Sequence, residues 1–423
     1  MEEREEATKD VEVAPALIAV HPHQRSVAVA IGPDLRVFDL HASAAVSLVD
    51  DSGGPFHSDS IRAARFGAKG KLFVSAGDDK IVKIWSTEFW RCFCTVSSEK
   101  RVCAVAISID GSYVCFADKF GVVWIVDLTG YDGNQPLGDK KATAILSHYC
   151  SIITRLEFSP DGRFIVSADR DFKIRVTVFS KRPLNGAHEI QSFCLGHTEF
   201  VSCLAFVHGQ DCPQDFLLSG SGDSTVRLWD ISSGALLDTC EVSIKAGLLE
   251  SSGEAQENDH AITDLCTVLD SLLVAVAVQS LQGIVLVSCN HSARTLSVAK
   301  VVPFAGEAFV PIGLGYCPSE GILWMITGAS SLPRSSCPSL ARVRVISGFD
   351  VEQEPAVVED DKVPGGEKLL ETLQGTVSVN GNVFLEAAEA VKTAMCNLLI
   401  KKQYPAENRD FRKRTRNDRK FKP

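Results

Sequence analysis

The clearest pattern in the chain is an alternation of apolar and polar residues over 164–179, FIVSADRDFKIRVTVF. Alternate residues from Phe164 to Ala168 and from Ile174 to Val178 are apolar, which places them on one face of two extended segments. The polar sequence DRDFK lies between the two segments. This pattern predicts a β-hairpin with a polar turn.

The same hairpin recurs along the chain. In each copy, an aspartate in the predicted turn is followed six residues later by a strand residue that is usually tryptophan. The four pairs are Asp79 and Trp85, Asp118 and Trp124, Asp171 and Thr177, and Asp223 and Trp229. Recurrence in one register indicates an internal repeat.

Three of the copies also carry a histidine and a serine before the aspartate. The three sets are His57, Ser75, Asp79 and Trp85; His148, Ser167 and Asp171, with Thr177 in place of tryptophan; and His197, Ser219, Asp223 and Trp229. These side chains can form a hydrogen-bond chain that ties the strands of a sheet to its turn. The pattern looks like a WD repeat, in which a period of ~40 to 45 residues forms one four-stranded propeller blade.

The repeats predict an all-β protein, a seven-bladed WD-repeat β-propeller over residues 13–348. Strand ends are predicted near residues 38, 85, 124, 177, 229, 286 and 345. The blades are predicted from residue 14 onward and at about 57–90, 99–128, 148–180, 197–240, 261–289 and 308–347. The segment 243–259 is polar and rich in Gly, Ser and Glu, which predicts an exposed insertion between two blades.

The segments outside the propeller differ in composition. We expect residues 1–12 to form a disordered acidic N-terminus. We expect 349–382 to form an acidic, proline-containing and mobile linker with a possible closing strand. Residues 383–403 have helical spacing of apolar residues and predict one amphipathic helix packed on the propeller. The apolar positions are Leu385, Ala388, Val391, Ala394, Met395, Leu398 and Leu399. A basic tail follows at 404–423.

Composition agrees with a soluble globular protein. Apolar residues make up 45% of the chain and charged residues 23%, a balance that permits a sizeable core. No stretch approaches the ~18 to 20 apolar residues of a membrane span, and the acidic N-terminus does not resemble a signal peptide. The 14 cysteines include no CxxC pair and lie mostly in predicted strands. We therefore expect no membrane association and reduced core cysteines in an intracellular protein.

The end of the chain changes the sign of the charge. Residues 401–423 carry ten Lys or Arg against three acidic residues, a net charge of +7, whereas the whole chain carries −10 and the remainder therefore −17. The tail includes Arg409, Arg412, Lys413, Arg414, Arg416, Arg419 and Lys420. Such a tail can contact nucleic-acid phosphates, can act as a nuclear import signal through RKRTRNDRK, or can be a solvated end without a partner. The first two functions are compatible.

No stretch of the sequence indicates catalytic chemistry. The Ser, His and Asp of each repeat recur with tryptophan at strand spacing, whereas a hydrolase needs an exposed nucleophile beside an oxyanion hole. The sequence contains no GxxxxGK[ST], no GxGxxG that opens a helix, and no His/Cys cluster with metal spacing. We therefore expect a protein without a catalytic residue, metal or cofactor, whose function is to present surfaces to partners.

Several segments resemble one WD-repeat family in particular. They are KRVCAVAISIDGSYVCFADKFGVVWIVDL at 100–128, FSPDGRFIVSADRDFKIRVTVF at 158–179, IQSFCLGHTEFVSCLAF at 190–206 and LLSGSGDSTVRLWD at 217–230. Together they resemble the non-catalytic subunit of the eukaryotic tRNA (guanine-N7-)-methyltransferase. The last segment fits any WD protein, whereas ADKFG and SADRDFKIRV followed by FCLGHTEFVS are specific to that family. Outside residues 100–230, only the blade pattern and the basic tail agree.

The resemblance implies a function in tRNA modification. In that family the propeller forms a heterodimer with the catalytic subunit beside blades three and four. It stabilises that subunit and helps to position tRNA for methylation of a variable-loop guanosine at N7. S-adenosylmethionine would bind the catalytic partner, and the expected location is the nucleus, with the cytoplasm left open. The alternative is a WD-repeat adaptor of another complex, such as a ubiquitin-ligase substrate receptor or a chromatin factor.

The resemblance also implies a partner interface. Arg175 matches the family's basic residue that pairs with a carboxylate of the catalytic subunit. Lys173, Arg170 and Lys119 lie in neighbouring predicted turns and are expected on the same surface. An arginine that reaches a carboxylate across an interface can bind it with two hydrogen bonds.

The repeat itself offers another explanation for Arg175. Lys83 and Arg227 occupy the equivalent position, four residues after the turn aspartate, so that a basic residue there is also typical of the repeat. Lys173 differs, because its equivalents are uncharged. Those equivalents are Ile81, Phe120 and Thr225. A charge at this one copy indicates a local function for blade four.

Overall fold

The structure, a computed structural model, describes residues 12–399 with gaps. The gaps are residues 51, 52, 54, 132–136, 138–139, 149–150, 209–214, 246–259, 269–272, 307, 333–338, 350–353 and 376–380. The basic tail and the first eleven residues therefore lie outside the described residues.

Short β-strands make up most of the chain, grouped in fours. Strand β1 (Ala14–Pro15) precedes blade one, which contains β2 (Leu17–Val20), β3 (Ser26–Ile31), β4 (Asp34–Asp39) and β5 (Ala44–Ala45). Blade two contains β6 (Ile61–Gly67), β7 (Leu72–Gly77), β8 (Ile81–Ser86) and β9 (Arg91–Ser97). Blade three contains β10 (Val102–Ile107), β11 (Tyr113–Asp118), β12 (Val122–Asp127) and β13 (Thr143–Ser147).

The remaining four blades continue this arrangement. Blade four contains β14 (Ile153–Phe158), β15 (Phe164–Asp169), β16 (Ile174–Val178) and β17 (Ile190–Cys194). Blade five contains β18 (Val201–Val207), β19 (Phe216–Ser221), β20 (Thr225–Asp230) and β21 (Leu236–Glu241). Blade six contains β22 (Ile262–Val268), β23 (Leu273–Val278), β24 (Gly283–Asn290) and β25 (Thr295–Pro303). Blade seven contains β26 (Gly313–Cys317), β27 (Ile322–Ser330), β28 (Ser339–Ser347) and β29 (Ala356–Val357).

Within the described ranges, these strands form seven antiparallel sheets in simple up-and-down order. The prediction of a seven-bladed propeller is therefore confirmed. The predicted strand ends fall in the third strand of each blade, from β4 to β28. The fourth strand mostly lies beyond the blade ends given by the sequence, because this outer strand is largely exposed, as in β13 and β17, and its alternation is weak.

The ring is closed by the beginning of the described chain. In strand β1, Ala14 lies opposite Ser330 and Pro15 opposite Ala329 on β27, and the Ala16 N–H donates to the Gly328 carbonyl at 2.9 Å. Strand β26 pairs with the other half of β27. The inner edge of blade seven is thus shared by two segments from opposite ends of the propeller, which removes a free sheet edge.

Apolar side chains join each blade to the next. The fully buried Trp85 lies in a cluster between blades one and two, and Trp229 in a cluster between blades four and five. Trp324 joins blades seven and one. Each buried aromatic side chain contributes roughly 25 cal/mol per Å² of apolar surface removed from water. The packing therefore lies mainly between sheets, as expected when single sheets have two apolar faces.

Helices follow the propeller or interrupt it. Their bounds are α1 (Val242–Lys245), α2 (Gly366–Gln374) and α3 (Gly381–Leu399), with short 3-10 turns at Ala68–Gly70, Pro183–Asn185 and Asp360–Lys362. In the part of the chain that the structure describes, no helix has the length and hydrophobicity needed to cross a membrane.

Two segments differ from the sequence prediction. Val242 and Ser243 are buried in α1 against blade five, so the prediction that the exposed insertion begins at residue 243 was wrong; residues 246–259 lie outside the described part. The linker was predicted to be mobile, with a possible closing strand. Strand β29 pairs with β28 as such a strand, whereas helix α2 was not predicted. Helix α2 was missed because its nine residues sit in an acidic segment, although its leucines have helical spacing. They are Leu369, Leu370 and Leu373, all buried against blades seven and one.

Helix α3 confirms the predicted C-terminal helix. Its side chains Phe384, Ala387 and Val391 pack on Ala329 and Leu340 of blade seven. This spacing of three and four residues is that of one helix face. The predicted face included Leu385, which is half-buried, and omitted Phe384 and Ala387.

The other end of α3 lies above different blades. Met395 contacts Phe200 and Ala261, which immediately precede the inner strands of blades five and six. The helix therefore crosses the end of the propeller at which the inner strands begin, from blade seven toward blades five and six.

Four-residue hydrogen-bond chains stabilise blades two and five. In blade five, His197 Nδ1 lies 2.8 Å from Asp223 Oδ2, His197 Nε2 lies 2.7 Å from Ser219 Oγ, and Trp229 Nε1 donates to Ser219 Oγ at 2.8 Å. Burial lowers the pKa of His197, although Asp223 opposes this shift. Burial would raise the pKa of Asp223, but the hydrogen bond and charge of His197 hold it well below its usual range.

Blade two has the same chain. His57 lies 2.8 Å from both Asp79 and Ser75, and Trp85 Nε1 donates to Ser75 Oγ at 3.1 Å. Ser75 has no exposed surface, so its hydroxyl cannot act as a nucleophile toward a substrate in solvent. These groups tie the third strand to the turn and to the segment that enters the blade.

Replacing the serine of the hydrogen-bond chain (the tetrad) should lower the free energy of unfolding more in blade five than in blade four. Ser219→Ala leaves His197 Nε2 and Trp229 Nε1 without the hydroxyl that they share, whereas Ser167 serves only His148 among the described residues. We expect Ser219→Ala to lower the free energy of unfolding by about 2–3 kcal/mol and Ser167→Ala by about 1 kcal/mol. Urea denaturation measures both values, and equal losses would contradict this account.

A buried histidine makes the stability of blade one sensitive to pH. His21 is 4% exposed, and its Nδ1 accepts the His23 N–H at 3.0 Å. Burial, followed by the charges of His23 and Arg25, lowers the pKa of His21 to about 4. The ordinary value is 6.5. Between these values the unfolded chain binds a proton that the folded chain does not, so stability falls as pH falls.

The pH prediction concerns the interval from pH 7 to pH 5. His21 should contribute a loss of about 2 kcal/mol over that interval. In His21→Asn, the amide oxygen can accept the same backbone N–H, and we expect a smaller loss of stability on acidification. Urea titrations at both pH values measure this difference. His188→Asn, at an exposed histidine of blade four, is the control and should leave the pH dependence close to that of the unmodified protein.

Candidate partner-binding surface

Blade four departs from the repeat at its histidine. His148 Nδ1 lies 2.9 Å from Asp169 Oδ2, and His148 Nε2 lies 2.7 Å from Ser167 Oγ. The prediction that Asp171 completes this set was wrong. Asp169 stands at the end of β15, where blades two and five have Gly77 and Ser221, and its carboxylate reaches the imidazole from there.

Blade three has a shorter version of the arrangement. Trp124 Nε1 donates directly to Asp118 Oδ2 at 2.9 Å, and the other carboxylate oxygen accepts the N–H groups of Phe120 and Val122. Trp124 lies opposite Phe116, the fourth residue of β11, which is the place that Lys83 and Arg175 occupy in their blades. The prediction that Asp118 and Trp124 repeat Asp79 and Trp85 in one register was therefore wrong.

The missing tryptophan of blade four changes the surroundings of Arg175. Thr177 is fully buried in the position of the tryptophan, and its hydroxyl lies 3.2 Å from Arg175 Nε, which donates to it. A second donor, Arg175 Nη1, reaches the Ser147 carbonyl at 3.1 Å. Burial lowers the pKa of Arg175, so its surroundings compensate the charge less well than water does.

The equivalent residues of the other blades have acidic partners. Lys83 forms an ion pair with Asp50, and Arg227 lies 3.8 Å from Asp223. Among the residues that the structure describes, Arg175 has a hydroxyl and a carbonyl as partners but no carboxylate within 4.0 Å. Arg175 is thus the member of this repeat position whose charge has no acidic partner among the described residues.

Exposed apolar side chains lie beside Arg175. Phe193, which is 43% exposed, lies directly opposite Arg175 in the pairing of β16 with β17. Leu195, which is 59% exposed, follows the pair formed by Ile174 and Cys194. Monomeric surfaces rarely gather large apolar groups around a charge, whereas protein interfaces often do.

The turn of blade four adds an aromatic residue to this surface. Phe172 is exposed and has a φ of 69°, in the left-handed region. Lys80 and Ser224 have the same backbone conformation in blades two and five, so the turn is general, and of these three blades blade four has the aromatic side chain at this position. We define the blade-four rim as Phe172, Lys173, Arg175, Phe193 and Leu195.

The sequence identified only the charged members of the blade-four rim. Phe193 and Leu195 alternate with smaller residues in the sequence, and this alternation predicts an ordinary half-buried strand. Their exposure follows from the position of β17 as the outermost strand of its sheet, which alternation alone does not give. The aromatic residue in the DRDFK turn was the available signal.

The other two predicted interface residues lie nearer the inner strands. The Arg170 N–H donates to the Ile152 carbonyl at 2.9 Å, and its half-buried side chain lies 4.0 Å from Asp171. Lys119 lines a cavity at the beginning of the inner strands. The structure therefore brings Lys173 and Arg175 together on the rim and places Lys119 elsewhere. The basic residues of the tail, including Arg409 and Arg412, lie outside the described residues.

The described residues offer no metal centre. Across the described ranges, no group of three His, Cys, Asp or Glu side chains is arranged to hold an ion. Burial raises the pKa of Cys203 and of Cys266 to about 12, which keeps these thiols protonated.

Solved structures share the fold of this chain. The protein in "Structure of U3-55K" aligns with a TM-score of 0.57 at 17% identity, over 75% of this chain and 89% of that chain. The propeller in "Crystal structure of RRP9 WD40 repeats" has the same TM-score and identity, over 75% of this chain and 88% of that chain. At this identity the likeness concerns the propeller fold alone.

Family models match two parts of the propeller. Residues 55–86 match the WD domain, G-beta repeat, which contains the tetrad of blade two. Residues 139–310 match the tRNA methyltransferase TRM82 WD40 domain, which contains the whole of blade four.

Curated relatives carry one common name. A tRNA (guanine-N(7)-)-methyltransferase non-catalytic subunit wdr4 from Xenopus laevis is 30% identical over 329 residues, 76% of this chain and 77% of the relative. The Dictyostelium discoideum protein of that name is 31% identical over 56% of this chain and 51% of its own length. The Homo sapiens protein is 37% identical over 44% and 41%. The chain thus aligns with only about half the length of some of these relatives. Because the Xenopus match covers most of both proteins, this chain belongs to the family of non-catalytic subunits of tRNA (guanine-N(7)-)-methyltransferase.

Proposed function

We propose that this protein is the scaffold subunit of a tRNA N7-methylguanosine methyltransferase. It binds the catalytic subunit through the blade-four rim, forms a heterodimer with it, and performs no chemistry itself. The observation that carries this proposal is Arg175, a half-buried guanidinium that lacks a carboxylate partner among the described residues. An acidic side chain of the catalytic subunit would supply the missing counter-charge.

The surroundings of Arg175 favour a strong contact. A guanidinium can bind a carboxylate through two parallel hydrogen bonds. Phe193 and Leu195 lie next to it in the register and would exclude water from that contact, as residues around an interface hot spot do. Lys173, exposed in the adjacent turn, would add a second positive charge and favour an acidic partner surface.

The proposed mechanism is preorganisation of the catalytic subunit. Strands β16 and β17 belong to a closed ring, so the rim has a fixed shape before the partner arrives. Binding to a fixed surface orders the partner, and the entropy cost of that ordering is met before tRNA binds. S-adenosylmethionine would be held by the catalytic subunit, which transfers its methyl group to N7 of a variable-loop guanosine.

Contact with tRNA is assigned to the basic tail. Residues 1–400 carry a net charge of −17 and residues 401–423 one of +7. An acidic propeller therefore gains phosphate affinity chiefly from tail residues such as Arg412, Lys413 and Arg414. The same residues fit a nuclear import signal, and the nucleus is the location we propose for the complex.

The interface is tested by charge reversal at the rim. Arg175→Glu should weaken binding of the catalytic subunit by about 2–5 kcal/mol, which is at least about thirtyfold in Kd, because a carboxylate would then face a carboxylate. Lys173→Glu should act in the same direction with a smaller effect. Calorimetric titration of the purified chains gives each Kd.

The matched control is Arg163→Glu. Arg163 is an arginine of the same blade with a 71% exposed side chain, but it follows the turn between β14 and β15, at the opposite end of the blade from the rim. The Arg163→Glu variant should bind the catalytic subunit with the affinity of the unmodified chain. Unchanged affinity in both rim variants, or an equal loss in Arg163→Glu, would remove the rim from the interface.

The tail is tested separately. Replacement of residues 405–423 by an uncharged linker of equal length should weaken tRNA binding by the heterodimer and reduce the salt dependence of that binding. Association of the two proteins should not change, because the rim is intact. The slope of log Kd against log salt concentration is the measurement. An unchanged slope would leave nuclear import as the function of the tail.

A further inference from the structure

The inner strands of blades two to six share an irregularity. Each has a β-bulge at its second residue, where the register with the next strand shifts. The five bulged residues are Arg62, Cys103, Thr154, Ser202 and Thr263. A bulge redirects its side chain out of the sheet, so this position is where neighbouring blades can be linked.

Blades four to six use the bulge for a hydroxyl link. Thr154 Oγ1 donates to the Val201 carbonyl at 2.5 Å, and Ser202 Oγ donates to the Ile262 carbonyl at 2.5 Å. Thr263 Oγ1 reaches the Pro311 carbonyl at 3.2 Å. Each bond joins the inner strand of one blade to the beginning of the next blade.

Blades two and three depart from this pattern. Their bulges carry Arg62 and Cys103, and a cavity of about 170 Å³ lies there at the beginning of the inner strands. Helix α3 covers it with Val391, Ala394 and Met395. The cavity therefore lies between the propeller on one side and α3 on the other.

The charged groups of the cavity are paired with one exception. Arg62 lies 2.6 Å from Asp78, and Arg101 lies 3.0 Å from Glu12. Among the described residues, the Lys119 ammonium has no carboxylate within 4.0 Å. The cavity thus has one surplus positive charge among mainly apolar walls.

The thiol in the cavity does not suit metal binding or nucleophilic chemistry. Burial, assisted by the charge of Asp78, raises the pKa of Cys103 to about 12, so the thiol stays protonated at neutral pH. A protonated thiol is a weak nucleophile and a poor metal ligand. The chemistry that remains is reversible binding of an anion.

We infer that this cavity binds a small organic monocarboxylate with a compact apolar body. The carboxylate accepts hydrogen bonds from Lys119, and the body lies between the apolar wall of Ile152 and Ile153 and the covering residues Val391 and Met395. A free small molecule fits better than a peptide, because a peptide would have to displace α3. The bound ligand contacts both α3 and blades three and four, and therefore stabilises the docking of the helix.

Benzoate is the probe, with benzamide as its neutral counterpart, and the full chain is used without any partner. Ligand-observed NMR titration should show saturable benzoate binding with a Kd in the millimolar range, as ligand efficiency allows for about nine non-hydrogen atoms. Benzamide should bind about tenfold more weakly, because it cannot pair with the ammonium.

Two variants locate the site. Lys119→Met should weaken the binding of benzoate about tenfold and leave the affinity for benzamide unchanged. Ala394→Leu should weaken the binding of both ligands, because the larger side chain fills the cavity. Lys100→Met is the control, at a neighbouring lysine whose ammonium lies over the Phe120 ring at 5.2 Å and which does not line the cavity. Thermal melts check that each variant is folded. Benzoate binding that does not saturate, or that persists unchanged in both Lys119→Met and Ala394→Leu, would overturn the inference.

Discussion

Closure of the ring is the constraint on which the rest of the structure depends. No blade buries both of its faces alone, and each apolar cluster joins two neighbouring sheets, so the packing is complete only when blade seven meets blade one. Strand β1 makes this connection by pairing with β27, while Trp324 and helix α2 fill the space between the two blades. The rim of each blade consequently keeps a fixed shape, which a scaffold needs if it is to order a partner.

A repeated fold allows one position to be compared across blades, and the exceptions indicate function. Lys83 and Arg227 occupy the same place as Arg175, but their charges are paired inside the chain. In blade four the tryptophan is replaced by Thr177, the tetrad uses Asp169, and the positive charge is left without an acidic partner among the described residues. Arg175 thus differs from Lys83 and Arg227 in a way that is local to blade four, and this difference supports the proposed interface. The cavity beside Cys103 is likewise found at an exception, because Cys103 occupies the bulge position at which blades four to six have a hydroxyl residue.

The sequence could predict what depends on short-range spacing. The tetrads of blades two and five, the seven third strands and the C-terminal helix all followed from periodicity, because strand and helix spacing determine them directly. The choice between Asp169 and Asp171 could not be predicted, since it depends on which carboxylate reaches His148 in three dimensions. Likewise, the exposure of Phe193 depends on which strand is outermost, and the position of Lys119 depends on where α3 lies.

The most direct test of the account is methyl transfer to unmodified tRNA. The catalytic subunit would be assayed with S-adenosylmethionine alone, with this chain, and with its Arg175→Glu variant. The account predicts that transfer rises strongly only with the unmodified chain, and that the variant, although folded, restores little of it at concentrations below its weakened Kd. Equal transfer with and without the chain, or full activity with the variant at those concentrations, would contradict a scaffold that acts through the blade-four rim.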